Sequence, residues 1–147
     1  MADIKILPMG ENHIKEIANI EKECFSKPWS EKALQEELQN TVANFLVAVK
    51  DEKVVGYIGV HIMSEESFIA NLAVLEEYRQ QGIARTLLQT AQGMSFGMGA
   101  KFISLEVRKS NTIAIDLYKS EDFKIAGKRK NFYSNPQEDA VILTMIF

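Results

Sequence analysis

The stretch Arg79-Gln80-Gln81-Gly82-Ile83-Ala84 lies between a β-rich run, Phe68 to Val74, and a helix-like run, Ala84 to Ala91. A small-residue turn that opens a helix leaves backbone N–H groups unpaired, and the helix dipole adds positive potential at the same end. Such a turn can seat a pyrophosphate. The two commoner phosphate loops are absent: no glycine-rich loop ends in Gly-Lys-Ser/Thr, and there is no Gly-x-Gly-x-x-Gly. Two side chains are candidates for proton transfer. Glu106 closes an apolar run, Phe102-Ile103-Ser104-Leu105, and a carboxylate at a cleft can take a proton directly or through one water. The plainer reading is a strand-end carboxylate paired with Arg108 or a lysine. Tyr118 can donate a proton through its phenol, or it can be a core tyrosine on a helical stripe with Ala114 and Leu117. Cys24 ends an amphipathic helix with no histidine close in sequence, which points to packing. One cysteine and two distant histidines, His13 and His61, offer no metal ligand set.

These residues need elements to hold them. Ile4 to Leu7 reads as a short strand. Glu11 to Phe25 carries Ile14, Ile17, Ile20/Glu21 and Cys24 near helical spacing, which predicts a helix with one buried stripe. Ser26-Lys27-Pro28-Trp29 breaks it, and Ser30 caps a second helix over 31–39. Phe45 to Lys50 and Val54 to Met63 form a hairpin through Asp51-Glu52-Lys53, and Ser67 to Val74 adds a third strand. The helix after Gly82 runs to about Met98, with Gly99 at its C-cap. Gly93 and Gly97 cost that helix stability, so a close neighbour is expected there. A strand over 102–107, a helix over 110–119, a strand over 123–129 and a strand over 139–147 complete the chain, the last entered from the turn Ser134-Asn135-Pro136. The strands on either side of the central helix are expected to pair in parallel through a right-handed crossover. If they splay, they open a cleft beside the pyrophosphate turn.

The chain has 147 residues, 46% apolar and 25% charged, and is read as a single domain over 1–147. A net charge of −3 argues against a general nucleic-acid binder. The apolar runs are too short to span a bilayer, and the N-terminus lacks the pattern of a signal peptide. A lone cysteine excludes an internal disulfide. A cytoplasmic protein is expected, with no membrane partner and no direct nucleic-acid partner, acting as a monomer.

The spacing Arg-x-x-Gly-x-Ala resembles the acyl-CoA pyrophosphate loop of the GNAT acetyltransferase superfamily. Further segments narrow the likeness: Phe25-Ser26-Lys27-Pro28-Trp29-Ser30; Leu105-Glu106-Val107-Arg108; Asn111 with Ala114 to Tyr118; and Arg129 to Tyr133 with Glu138-Asp139-Ala140. Over nearly its whole length the chain resembles the bacterial ribosomal-protein-alanine N-acetyltransferases, one branch of that superfamily. The resemblance implies an α/β (α+β) GNAT fold: a mixed central sheet of about seven strands flanked by helices, with splayed parallel strands forming the CoA cleft. It implies acetyl-CoA as co-substrate and no metal. It also implies acetyl transfer to the N-terminal alanine of a small-subunit ribosomal protein by direct attack in a ternary complex.

Within that family pattern Glu106 is the base and Tyr118 the acid that protonates the departing thiolate. Leu72, Ala73 and Val74 border the acetyl group and pantetheine arm. Gln80, Gln81, Gly82, Ile83, Ala84 and Arg85 hold the pyrophosphate, mainly through backbone, and Asn111 bonds the arm or caps its helix. Pro28 and Trp29 face Phe132 and Tyr133 across an aromatic-walled slot for a peptide N-terminus, unless Trp29 instead staples the second helix into the core. One departure from the pattern is Asp122 where many relatives carry Gly before the following Phe; an Asp tolerates a left-handed turn better than most residues. Two alternatives remain: a GNAT enzyme that acetylates lysine, a polyamine or a small molecule, and a non-catalytic acetyl-CoA sensor.

Overall fold

A computed structural model describes residues 3–147. Seven strands form one mixed sheet in the order β1-β2-β3-β4-β5-β7-β6. The strands are β1 (Lys5–Pro8), β2 (Ala43–Lys50), β3 (Lys53–Met63), β4 (Glu66–Val74), β5 (Phe102–Arg108), β6 (Lys124–Tyr133) and β7 (Glu138–Ile146). The helices are α1 (Ile14–Cys24), α2 (Glu31–Gln39), α3 (Ile83–Gly97) and α4 (Thr112–Ser120). Every pairing is antiparallel except β4 with β5, the pair that flanks α3. That parallel pairing covers only Glu66↔Phe102, Ser67↔Ile103 and Phe68↔Ser104. Beyond it β4 runs on to Val74 and β5 to Arg108, so the two strands part and leave facing backbone edges.

Both faces of the sheet are covered, which is why Phe45 to Ala48 and Val54 to Val60 are apolar almost without alternation. Along β2, Phe45 and Val47 join the core with Ile14, Ile17, Ile20 and Leu34, while Leu46 and Ala48 join the other core with Leu87, Leu88 and Ala91. Thus α1 and α2 cover one face and α3 the other. Trp29, Phe45 and Tyr57 form an aromatic column on the first face, with ring centroids 5.8 Å and 6.2 Å apart. Gly59 lies opposite Phe45 in the β2–β3 pairing, and a Cβ there would meet the Phe45 Cζ at 2.5 Å. Gly59→Ala is therefore expected to destabilise the fold by about 1–3 kcal/mol through overpacking. A lower denaturant midpoint at unchanged m-value is the expected readout.

Local chemistry sets the element ends. Ser30 Oγ accepts from Ala33 N at 3.1 Å, and Asn111 Oδ1 accepts from Ala114 N at 3.2 Å, capping α2 and α4. Gly99 has φ 95° just past α3, and Asp122 has φ 71° in the turn before Phe123. The close neighbour expected at Gly93 and Gly97 is not there: a Cβ at either would point into open space. Both glycines simply weaken α3. β6 extends past the expected Arg129 to Tyr133, because Asn131 takes φ 53° and its N–H bonds Asp139 Oδ1 at 2.8 Å, absorbing a register shift. That extension brings Phe132 and Tyr133 back over the sheet. No described helix is long and apolar enough to cross a membrane.

Candidate active site

Where β4 and β5 part, they frame a cleft of about 450 Å³. Ile69 to Leu72 line one side and Leu105 to Arg108 the other. Asn111, Ala114 and Tyr118 of α4 close one end, and Phe132, Tyr133 and Ser134 another. Cys24 to Lys27, where α1 ends, complete the wall. Lys27 Nζ donates to Ser134 Oγ, so the α1–α2 segment touches the β6–β7 turn across the mouth.

Glu106 and Tyr118 therefore line the same cleft. The carboxylate is partly exposed and pairs with neither Arg108 nor a lysine; Arg129 Nε lies 2.9 Å from its Oε1. Arg108 is instead committed to the β6–β7 turn, donating to Ser134 O at 3.0 Å and Pro136 O at 2.8 Å, with its guanidinium 4.5 Å from the Tyr133 ring centroid. Tyr118 is only 6% exposed, and its ring packs edge-on against Phe123 at 5.5 Å. Burial, and secondarily Tyr133, push its phenol well above the ordinary tyrosine value. No described residue takes its hydroxyl, and the hydroxyl is not among the fully buried unpartnered atoms, so it opens to the cleft. A phenol held neutral at a cleft is a proton donor at every ordinary pH. Burial also pushes the Cys24 thiol up; kept protonated, it packs against Val74 O and Arg79, in keeping with a packing role.

Gln80 to Arg85 lie outside the cleft lining; there α3 begins at a turn in which Gln80 and Gly82 both take positive φ, 62° and 82°. Arg79 folds back and ties the turn to β4, its Nε donating to Val74 O at 2.9 Å. The first intrahelical bond of α3 comes from Thr86 N to Gly82 O, so the N–H groups of Ile83, Ala84 and Arg85 remain for a ligand. The residues here fit a pyrophosphate: a backbone nest at a fifteen-residue helix, with Lys50 Nζ 3.0 Å from Gln81 Oε1. The Arg85 side chain is not free to join them, since its guanidinium is bonded to Ser120 Oγ and Glu121.

Of the residues expected at the site, the cleft lining gathers Leu72, Glu106, Asn111, Tyr118, Phe132 and Tyr133. Ala73 and Val74 are buried one step along β4. Pro28 and Trp29 lie outside the lining. Trp29 packs on Phe45 in the core, which is the stapling role, and Phe25, Ser26 and Lys27 take the wall position expected of it.

The residue that sequence reasoning passed over is Glu21. It sits in the apolar stripe of α1, and its side chain is fully buried. Its Oε1 accepts from Trp29 N at 2.9 Å, and its Oε2 accepts from Asn71 Nδ2 at 2.8 Å and from the Tyr57 hydroxyl. A charged residue in register with the core stripe of an amphipathic helix was the available signal. Burial raises its pKa, with the Tyr57 and Trp29 bonds opposing. A carboxyl whose folded pKa is raised loses stability as pH climbs from the unfolded value, about 4.3, through the folded one. Glu21→Gln does not titrate. The difference in Tm between wild type and Glu21→Gln is therefore expected to move in favour of the variant from pH 4 to pH 8; a constant difference would contradict this.

Residues 14–123 match the model of the acetyltransferase (GNAT) family, and the chain belongs to that family. It is an acyltransferase built on a fold common to the group. A Bacillus subtilis (strain 168) protein, provisionally named a [ribosomal protein bS18]-alanine N-acetyltransferase, is 37% identical over 131 residues, covering 88% of this chain and 87% of the relative. The crystal structure of the ribosomal-protein-S18-alanine N-acetyltransferase from Escherichia coli superposes with a TM-score of 0.91 at 28% identity, covering 98% of this chain and 94% of that one. Arabidopsis thaliana NAA60 in complex with acetyl-CoA shares the fold, with a TM-score of 0.91 at 20% identity and coverage of 99% of each chain.

Proposed function

We propose that this enzyme transfers the acetyl group of acetyl-CoA to the α-amine of an N-terminal alanine on a small-subunit ribosomal protein. The carrying observation is that one cleft, opened by the parting of β4 and β5, is lined by both the Glu106 carboxylate and the neutral Tyr118 phenol. The relatives named for ribosomal-protein alanine acetylation support the substrate. Acetyl-CoA supplies an activated thioester. The turn over residues 80–85 holds its pyrophosphate through backbone N–H groups, and the free edge of β4 at Leu72 to Val74 borders the arm and acetyl group. Asn111 is committed to capping α4 and narrows the arm's path.

Only a neutral amine can attack. An α-amine, with pKa about 7.7–8.0, is about a tenth neutral at pH 7, whereas a lysine amine, pKa about 10.4, is neutral to well under a tenth of a percent. Glu106 takes the proton that the amine gives up, directly or through one water. The amine nitrogen bonds the acetyl carbon, the carbon–sulfur bond breaks, and Tyr118 delivers a proton to the departing sulfur. Phe25, Phe132 and Tyr133 offer apolar surface to the residues behind the alanine.

A competition assay read by mass spectrometry tests the reading. Enzyme and acetyl-CoA meet equal amounts of a peptide with a free N-terminal alanine, the same peptide N-terminally blocked with an internal lysine, and a polyamine. Label on the free alanine alone is expected. Label on lysine or polyamine would reject the substrate assignment, and tight CoA binding with no transfer would favour the sensor.

A further inference from the structure

Asn71 stands where the cleft begins. β4 stops pairing with β5 at Phe68, and its register with β3 slips so that Asn71 faces Gly59, Ile69 faces Val60 and Ala70 is bulged between them. A bulge re-aims the side chain beside it. The amide is then fixed by Glu21, whose Oε2 accepts from Nδ2 at 2.8 Å. With Oε2 accepting from both Asn71 Nδ2 and the Tyr57 hydroxyl, the NH₂ end of Asn71 faces Glu21 and the carbonyl end faces away. No donor among the described residues reaches Asn71 Oδ1. The buried unpartnered side-chain atom among the described residues is Ser95 Oγ, not this one. Asn71 lines the cleft, so Oδ1 is an acceptor open to it.

The expense of the arrangement argues that it serves the site. A carboxylate with no exposure, served by donors from α1's own exit, β3 and β4, is a costly way to pack a helix. It does hold one amide in one orientation at the cleft wall. We infer that Asn71 Oδ1 binds the acceptor amine and that Glu21 is its positioning residue. This rests on the reading that the cleft acetylates an amine. An amine donates one N–H to Oδ1 whether charged or neutral. The contact leaves the nitrogen lone pair to face the thioester once the extra proton has gone to Glu106. Because the amide is uncharged, it orients the amine without competing for that proton.

The test compares binding of the alanine peptide and its desamino analogue, in which hydrogen replaces the α-amine, to CoA-loaded protein by calorimetry. Wild type is expected to favour the amine by tenfold or more, the scale of a hydrogen bond to a charged group. Asn71→Ala is expected to favour it by less than threefold, with CoA affinity within twofold of wild type. Glu21→Gln keeps the side-chain shape but lets the Asn71 amide turn over, and its preference should fall between the two. A wild-type preference near one overturns the inference, as does a preference unchanged in Asn71→Ala, or in Glu21→Gln should Asn71→Ala not fold. Equal losses for peptide and CoA would also overturn it, since they mark a structural role. If the competition assay puts label on lysine, the same comparison uses the lysine peptide and its norleucine analogue, so the two readings fail separately.

Discussion

Glu106→Gln is expected to slow acetylation of an α-amine peptide by about a hundredfold or more at pH 7, the scale of losing a positioned general base. The change keeps shape and removes charge. The partner it leaves, Arg129, is 58% exposed, so the lost ion pair contributes little to stability. The fall should therefore appear in kcat with the melting temperature and the affinity for CoA nearly unchanged. Its pH dependence is a second mark. Above pH 9 an α-amine is almost wholly neutral by itself, so the deficit should shrink as pH rises from 7 to 9.5. Activity within threefold of wild type at pH 7 would return Glu106 to the role of a strand-end carboxylate held by Arg129.

Tyr118→Phe is expected to lower kcat by about a hundredfold while KM for acetyl-CoA stays put. The phenylalanine ring can keep the edge-on contact with Phe123. The hydroxyl has no described protein partner to lose, so the fold should survive intact. What disappears is the proton for a leaving thiolate. A thiol near pKa 8.5 is a fair leaving group unaided, which keeps the loss well short of abolition. Since burial holds the phenol neutral far into the alkaline range, Tyr118 should give wild type no alkaline limb in kcat below pH 10. Unchanged kcat would make it a core tyrosine that happens to border the cleft.

The elements and their order were legible because each carries a local signal: the alternating and continuous apolar runs of β2 to β4, the Ser30 and Asn111 caps, Gly99 after α3. The parallel pairing of β4 with β5 followed from a helix lying between two strands. The shape of the turn before α3 was legible for the same reason, since Gly82 and the start of α3 are neighbours in sequence. Partnerships across the sheet were not. Arg129 reaches Glu106 across β7, a relation set by register. Glu121 claims Arg85 because α3 and the end of α4 lie side by side. Trp29 had two fates open, and what decided between them was a ring at Phe45, sixteen positions on, uncovered by Gly59. Glu21 was visible as a charge in an apolar stripe, but its donors come from three places in the chain, and no spacing rule joins them.

The short seam between β4 and β5 has a mechanical consequence. Three register pairs, with the Lys101 N–H bond to Glu65 O just before them and the Ser67 hydroxyl bond to Phe102 O, stitch the strands β1 to β4 to the strands β5, β7 and β6. The sheet is thus two panels joined along a short seam, and α3, which packs on β2, β3, β4 and β5, is the brace across it.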